Sequence, residues 1–297
     1  MMEQRAPTAT KTSILHRAER AHSAPAHFRH CFQASFGHSL TLMLRRQRII
    51  LAAVITFLPV AIPVALVFLS TSQFAEAGNA VFDKMAREAH INTLAPLLAL
   101  FFATMIIGED VESRTIPLML TRPMPRSAWV LGRFAAYVLV TTAILGTSLF
   151  LTFAASTALA DLSFDRDGLE KLLTYEFAML LALLANGALA LFLGAVTKRP
   201  IVIGVLFLYG WQRLATTVPG VVDFLTIMKY TNELLPVLVE ATDQAVREEL
   251  LAFKKREYLV GAGKAAAMLC AITAVLLGLS VAVVRFREYA TDRAAGT

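Results

Sequence analysis

Charge is what this chain has least of. Only 17% of its 297 residues are Asp, Glu, Lys or Arg, against about 25% in soluble globular domains. Hydrophobic residues make up 57% and the mean hydropathy is +0.61. The few charges are gathered into short stretches, and long stretches carry none. A charge in hydrocarbon costs at least ~2.5 kcal/mol, so such clustering is the mark of apolar spans joined by polar loops. A soluble fold is excluded. Cysteine is equally scarce: Cys31 precedes every apolar run and Cys270 lies inside the last one. Different membrane depths keep the two apart, so no disulfide is expected, and no pair has zinc-ligand spacing. No cleavable leader is expected either, because the first apolar run begins only at Ile49.

Catalytic patterns are also missing. There is no HExxH, no GxSxG and no Cys–His arrangement at a useful spacing. The run Gly261-Ala262-Gly263-Lys264 fails as a phosphate loop. Tyr258 stands where the first Gly belongs, and Ala265 stands where Ser or Thr would hold magnesium. Five of the six histidines, His16, His22, His27, His30 and His38, fall near the start without regular ligand spacing. No catalytic residue, metal site or bound cofactor is expected. The net charge of +6 reads as basic residues held at the inner face of a membrane rather than as a nucleic-acid footprint.

What is present is an all-α integral membrane pattern. Residues 1–27 read as a disordered tail and residues 288–297 as a second tail. In residues 28–47, Phe28, Phe32, Phe36, Leu40 and Met43 recur at helical spacing. This predicts an amphipathic helix lying in the membrane interface and ending at Arg45, Arg46 and Arg48. A six-helix transmembrane unit follows over 48–287, with spans at about 49–70, 91–107, 129–160, 177–196, 201–218 and 265–284. Pro59 and Pro63 predict a kink in the first, and the third is long enough to tilt. The segment 219–264 is the largest loop and carries short apolar stretches that fit the membrane surface or re-entry.

Loop charges orient the spans. The first 48 residues, then Arg114, Arg122 and Arg126, then Lys198-Arg199, then Arg285, Arg287 and Arg293 all fall on one side of a six-span chain. The opposite loops are neutral to acidic. The positive-inside rule then places both termini in the cytoplasm.

Within this frame the stretch Gly108–Trp129 is cytoplasmic. It opens with Glu109, Asp110 and Glu112, continues through Arg114-Thr115 and the apolar Ile116, Leu118, Met119 and Leu120, and closes with Arg122-Pro123 and Pro125-Arg126. A short helix N-capped by Thr115 and stopped by Pro123 fits this order. Read from the residues alone, it either rests on lipid or presents its groups to a partner below.

The stretch resembles the cytoplasmic connection of ATP-binding-cassette exporter permeases of the ABC-2 type, the class that includes the NosY-like permeases. The match runs in order through Glu109, Arg114-Thr115, Pro117-Leu118-Met119-Leu120 and Arg122-Pro123-Met124-Pro125-Arg126, then Leu131-Gly132-Arg133, with Arg for the usual Lys. The resemblance implies a permease subunit of the bacterial inner membrane, present as two copies or with a paralogue. A separate cytoplasmic ATPase would bind ATP and magnesium. It also implies that residues between spans two and three form a coupling helix. Glu109, Glu112, Arg114, Arg122 and Arg126 would then pair with the ATPase, and Leu118 and Leu120 would fill the apolar centre of the contact.

Two polar residues inside the spans have two readings each. Asn186 either lines a substrate path or bonds a neighbouring helix. Arg213, beside Trp211, either meets substrate or snorkels to the interface. Two other functions compete with transport. An intramembrane lipid-modifying enzyme would need acidic or histidine side chains inside the bundle, where His90 and Glu176 only border spans. A non-transporting scaffold would bind partners without ATP-dependent flux.

Overall fold

The structure is a computed structural model and describes residues 24–69, 78–104, 125–159, 161–197, 199–217, 224–235 and 260–286. Among these, all regular structure is helical. The first helix, α1, covers Ala24–Met43. A turn at Leu44 and Arg45 leads into α2, residues 46–69, which is wound as α-helix over Arg46–Phe57, tightens to a 3₁₀ turn at Leu58–Val60, and resumes as α-helix over Ala61–Leu69. Pro59 and Pro63 supply no N–H to the ladder, and the tightened turn falls at the first of them.

Helix α3, residues 78–104, alternates α-helix (Gly78–Lys84, Ala95–Leu98) with the wider π-winding (Met85–Leu94, Ala99–Ala103). Two long helices follow, α4 at Arg126–Ser156 and α5 at Arg166–Val196. Helix α6, residues 200–217, begins at Pro200 and has a π segment at Leu206–Trp211. A short helix α7 occupies Ile227–Asn232, N-capped by Thr226, and α8 covers Ala262–Phe286.

Four of these are long and apolar enough to cross a membrane: Arg46–Phe68, Arg126–Ser156, Arg166–Val196 and Ala262–Arg285. At about 1.5 Å per residue, a 31-residue helix such as α4 or α5 is ~46 Å long, more than the ~30 Å of hydrocarbon. The expected span at 177–196 is the inner part of a helix that starts earlier, at Arg166. The expected second span, 91–107, lies on α3, whose first half carries Asp83, Lys84, Arg87 and Glu88. The expected fifth span, 201–218, lies on α6, where the apolar run Pro200–Trp211 is too short to count by length alone.

The bundle is organised around α5. In its most apolar window 72% of the residues are buried inside the protein, against 22% in α2 and in α8. A helix apolar all round and buried on most of its surface belongs at the centre of a bundle. Helices α3, α4, α6, α7 and α8 all pack on it. Small residues allow close approach. At Gly187 a Cβ would stand 2.1 Å from Tyr137 Cε1, so the tyrosine ring occupies the space a side chain would need. The Tyr137 hydroxyl donates to the Leu183 carbonyl at 3.0 Å, which leaves no unpaired polar atom at that crossing.

Helix α1 does not stand apart. It lies along the first turns of α4: Ser35 donates its hydroxyl to the Trp129 carbonyl at 2.8 Å. A Cβ on Gly132 would stand 2.6 Å from the Phe32 carbonyl oxygen. Ser35, Ser39 and Met43 are buried, whereas Arg29, Gln33 and Thr41 are exposed. The helical periodicity therefore has a protein neighbour on part of its apolar side.

Candidate functional site

Contacts between helices fix which residues share an end. Phe82 on α3 meets Phe153 on α4 and Tyr175 on α5, each at 5.2 Å between ring centroids. Glu176 lies against Gly146 of α4. At the other end Leu100 lies against Gly204, near the start of α6, and Arg126 reaches the last turn of α8. The acids divide accordingly, with Lys84, Arg87, Arg166 and Lys171 beside them at the first end. Asp83, Glu88, Asp161, Asp165, Asp167, Glu170, Glu176 and Glu233 are all the acids among the described residues, and all lie toward the first end. Arg126, Arg133, Arg199 and Arg285 lie toward the second, which has no described acid.

The acidic end is knotted. Lys171 Nζ lies 2.8 Å from Asp83 Oδ1 and donates to Asn79 Oδ1 at 2.9 Å. Tyr175 donates its hydroxyl to the same Asp83 oxygen at 2.9 Å, and the Asn79 amide donates to the Asp161 carbonyl. Asp161 has a φ of 68°, in the left-handed region that Asp tolerates better than most residues. Asp165 N-caps α5 by accepting from the Gly168 N–H at 2.8 Å, and that bond holds its carboxyl below the usual carboxylate range. The knot fastens the start of α3 to the start of α5.

Deeper in the bundle is a polar node that composition gave no reason to expect. His90 is fully buried. Its Nδ1 donates to the Met85 carbonyl at 3.1 Å, which leaves Nε2 to face the Ser148 hydroxyl at 3.0 Å. Ser148 in turn donates to the Thr56 carbonyl of α2 at 2.7 Å. The node thus joins α2, α3 and α4. The π-winding explains how: in the wider turn a side chain falls over the carbonyl five residues back, as His90 does on Met85 and Thr93 on Glu88. The signal available in the sequence was only a histidine next to an apolar run.

The arginine end is where residues 105–124 leave α3 and re-enter at Pro125. Glu109, Glu112, Arg114, Thr115, Leu118, Leu120, Arg122 and Pro123 lie outside the described residues. Arg126 is described. Its guanidinium donates to the carbonyl of Val284 at 2.9 Å and also to that of Arg285. These belong to the last described turn of α8. Arg126 therefore ties the start of α4 to α8, a contact the sequence gave no means of foreseeing. Nearby, Arg133 is buried and its guanidinium lies 4.4 Å from the centre of the Trp129 ring.

Asn186 is buried, and its amide donates to the Ala182 carbonyl of its own helix at 2.9 Å rather than to a neighbour. Its Oδ1 has no partner among the described residues. The backbone of Arg213 lies in α6, and its side chain is outside the described residues. Both cysteines are free thiols. No group of three or more metal-ligating side chains occurs among the described residues.

A bundle with several membrane-length helices defines a multi-pass membrane protein. The family follows from comparison with known proteins: residues 42–211 match the model of the ABC-2 family transporter proteins. The match takes in more than half of the chain, from the end of α1 into α6, and the chain belongs to that family. No curated protein matches it. Family membership makes this a membrane subunit of transport, and not a catalytic one.

Proposed function

We propose that the chain is the permease subunit of an ATP-driven exporter, working as a pair with a second copy or a paralogue and powered by a separate cytoplasmic ATP-binding-cassette ATPase. The observation that carries this reading is that every described acid lies toward the end of the bundle opposite Arg126, Arg133, Arg199 and Arg285. The arginine end is the one from which residues 105–124 depart and to which they return. Positive residues are retained on the cytoplasmic side of membranes, so this end, both termini and the 105–124 connection face the cytoplasm. A bacterial inner membrane and six crossings complete the picture, with α3 and α6 supplying the second and fifth. The order of residues from Glu109 to Arg126 supports placement with the NosY-like permeases.

In this reading Glu109, Glu112, Arg114 and Arg122 make charged contacts with the ATPase, while Leu118 and Leu120 fill the apolar centre. Magnesium and ATP are held by the ATPase alone. Closure of two ATPase subunits draws two coupling segments together and biases the permease between inward-open and outward-open states. Arg126 belongs to the segment by sequence, but its bonds to the end of α8 give it a second role, passing movement of the connection to the last helix. Asn186, with a buried oxygen aimed into the bundle, and Arg213 are the candidates for a substrate path.

The test is co-purification of the permease with a cytoplasmic ATPase, followed by hydrolysis assays on the reconstituted pair. Glu109→Lys and Arg122→Glu are expected to lower permease-stimulated hydrolysis about tenfold or more, the loss of one well-formed charged contact, with the amount of folded permease unchanged. Full stimulation in both variants would remove the coupling assignment.

A further inference from the structure

Helix α2 is fastened to the bundle by little. Its buried residues form one narrow stripe, Ala52, Thr56, Pro59 and Pro63, while Val54 and Leu58 between them are exposed. None of the four is large. Among the described residues, the hydrogen bond that joins this stripe to another helix runs from Ser148 Oγ of α4 to the Thr56 carbonyl, at 2.7 Å.

That carbonyl stands where α2 changes its winding. The α-helical ladder of Arg46–Phe57 gives way to the 3₁₀ turn Leu58–Val60. A 3₁₀ turn asks each carbonyl to accept from the N–H three residues on. For Thr56 that residue is Pro59, which has no N–H. Ser148 supplies the missing donor from the neighbouring helix.

The same hydroxyl is wanted elsewhere. His90 Nδ1 faces the Met85 carbonyl, which can only accept, so the ring proton sits on Nδ1. A ring buried this deeply among neutral partners stays uncharged, and its Nε2 is then an acceptor. Two hydroxyls reach it, Ser148 at 3.0 Å and Thr152 at 3.4 Å. Thr152 spends its proton on the Ser148 carbonyl at 2.9 Å. Ser148 is left with one proton for two buried acceptors, the Thr56 carbonyl and His90 Nε2. The two bonds are of the same order of strength, and a hydroxyl passes between them by turning about a single bond.

We infer that Ser148 is the latch of a proline hinge in α2 and that His90 releases it. With the hydroxyl proton on the Thr56 carbonyl, the hinge is pinned to α4. With the proton on His90, the Thr56 carbonyl loses its outside donor, and residues 61–69 swing about the Leu58–Val60 turn. The hinge works whichever way the bundle faces and with no ATPase docked.

The test uses purified full-length permease in lipid nanodiscs, carrying Cys31→Ser and Cys270→Ser in place of the two free thiols. Spin labels are attached through Phe68→Cys and Leu173→Cys, at two exposed positions. Labelled chains are diluted with unlabelled ones, so that each pair of labels reports on one chain. Pulsed electron resonance is expected to show two distance populations, pinned and released. Ser148→Ala moves their ratio toward the released one by about tenfold, the worth of one hydrogen bond. His90→Phe keeps a ring but removes the competing acceptor, and moves the ratio toward the pinned one. In a Pro59→Ala chain the helix regains its own N–H, so adding Ser148→Ala changes nothing. An unmoved ratio in Ser148→Ala, the same response to Ser148→Ala with and without Pro59→Ala, or a His90→Phe chain shifted toward the released population would each overturn the inference. No ATPase is present in this experiment, so failure here leaves the coupling proposal standing, and failure of coupling leaves the hinge standing.

Discussion

At the scale of single residues, this protein is held by polar atoms and glycines more than by the apolar side chains that dominate its composition. Apolar burial drives little association once the surroundings are themselves hydrocarbon, so close packing and interhelical hydrogen bonds carry the specificity. The Tyr137–Gly187 crossing illustrates this. Gly187→Ala places a methyl where the tyrosine ring stands 2.1 Å away, and the ring is fully buried with its hydroxyl bonded. Overpacking of this kind costs about 1–3 kcal/mol. Gly278→Ala, at a site with nothing within 4 Å, is expected to be neutral. Thermal unfolding in detergent compares the two directly, and equal midpoints would show that the crossing is not tightly packed. The sequence could not have singled out Gly187 from Gly278, since both are glycines in apolar helices and only the facing tyrosine separates them. His90 is a similar case. Its border position was legible, but its partner Ser148 is 58 residues ahead along the chain, and the Thr56 carbonyl to which Ser148 donates is 34 residues behind His90.

At the scale of helices, the long apolar runs were legible because hydrocarbon demands them. The segments beginning near Ile49, Trp129 and Ala265 are helices close to the expected limits. The start of α5 was not. The stretch from Arg166 to Glu176 carries five charges and reads as loop by hydropathy. It is helical because Asp165 caps it and because Lys171 and Tyr175 find Asp83 and Asn79 on α3. Tertiary partners overrode the local signal. The first half of α3 extends before the expected span for the same reason. The last described turn of α8 is tied to α4 by Arg126. Arg126→Met removes the donor to the Val284 carbonyl. Amide hydrogen exchange should then speed up at that turn of α8, with the rest of the helix unaffected. Unchanged protection there would show that these bonds add nothing.

At the scale of the whole molecule, the opposed charges of the two ends were visible in the sequence as alternating loops, and the fold gathers them in space. The described acids lie toward the α3–α5 knot, and Arg126, Arg133, Arg199 and Arg285 toward the opposite end. The coupling proposal for the 105–124 connection comes only through resemblance to a family, because no rule of hydropathy or spacing assigns a partner to a charged connection. The family is now established over residues 42–211; what its members' connection does in this chain depends on which way the bundle faces. The most direct measurement is labelling of single cysteines in intact cells, in a chain with Cys31 and Cys270 replaced by serine. Cysteine at Glu112 is expected to react with a membrane-impermeant maleimide only after the membrane is opened, and cysteine at Asp167 to react from outside. Labelling of position 112 from outside would contradict the orientation, and with it the docking of an ATPase on residues 105–124.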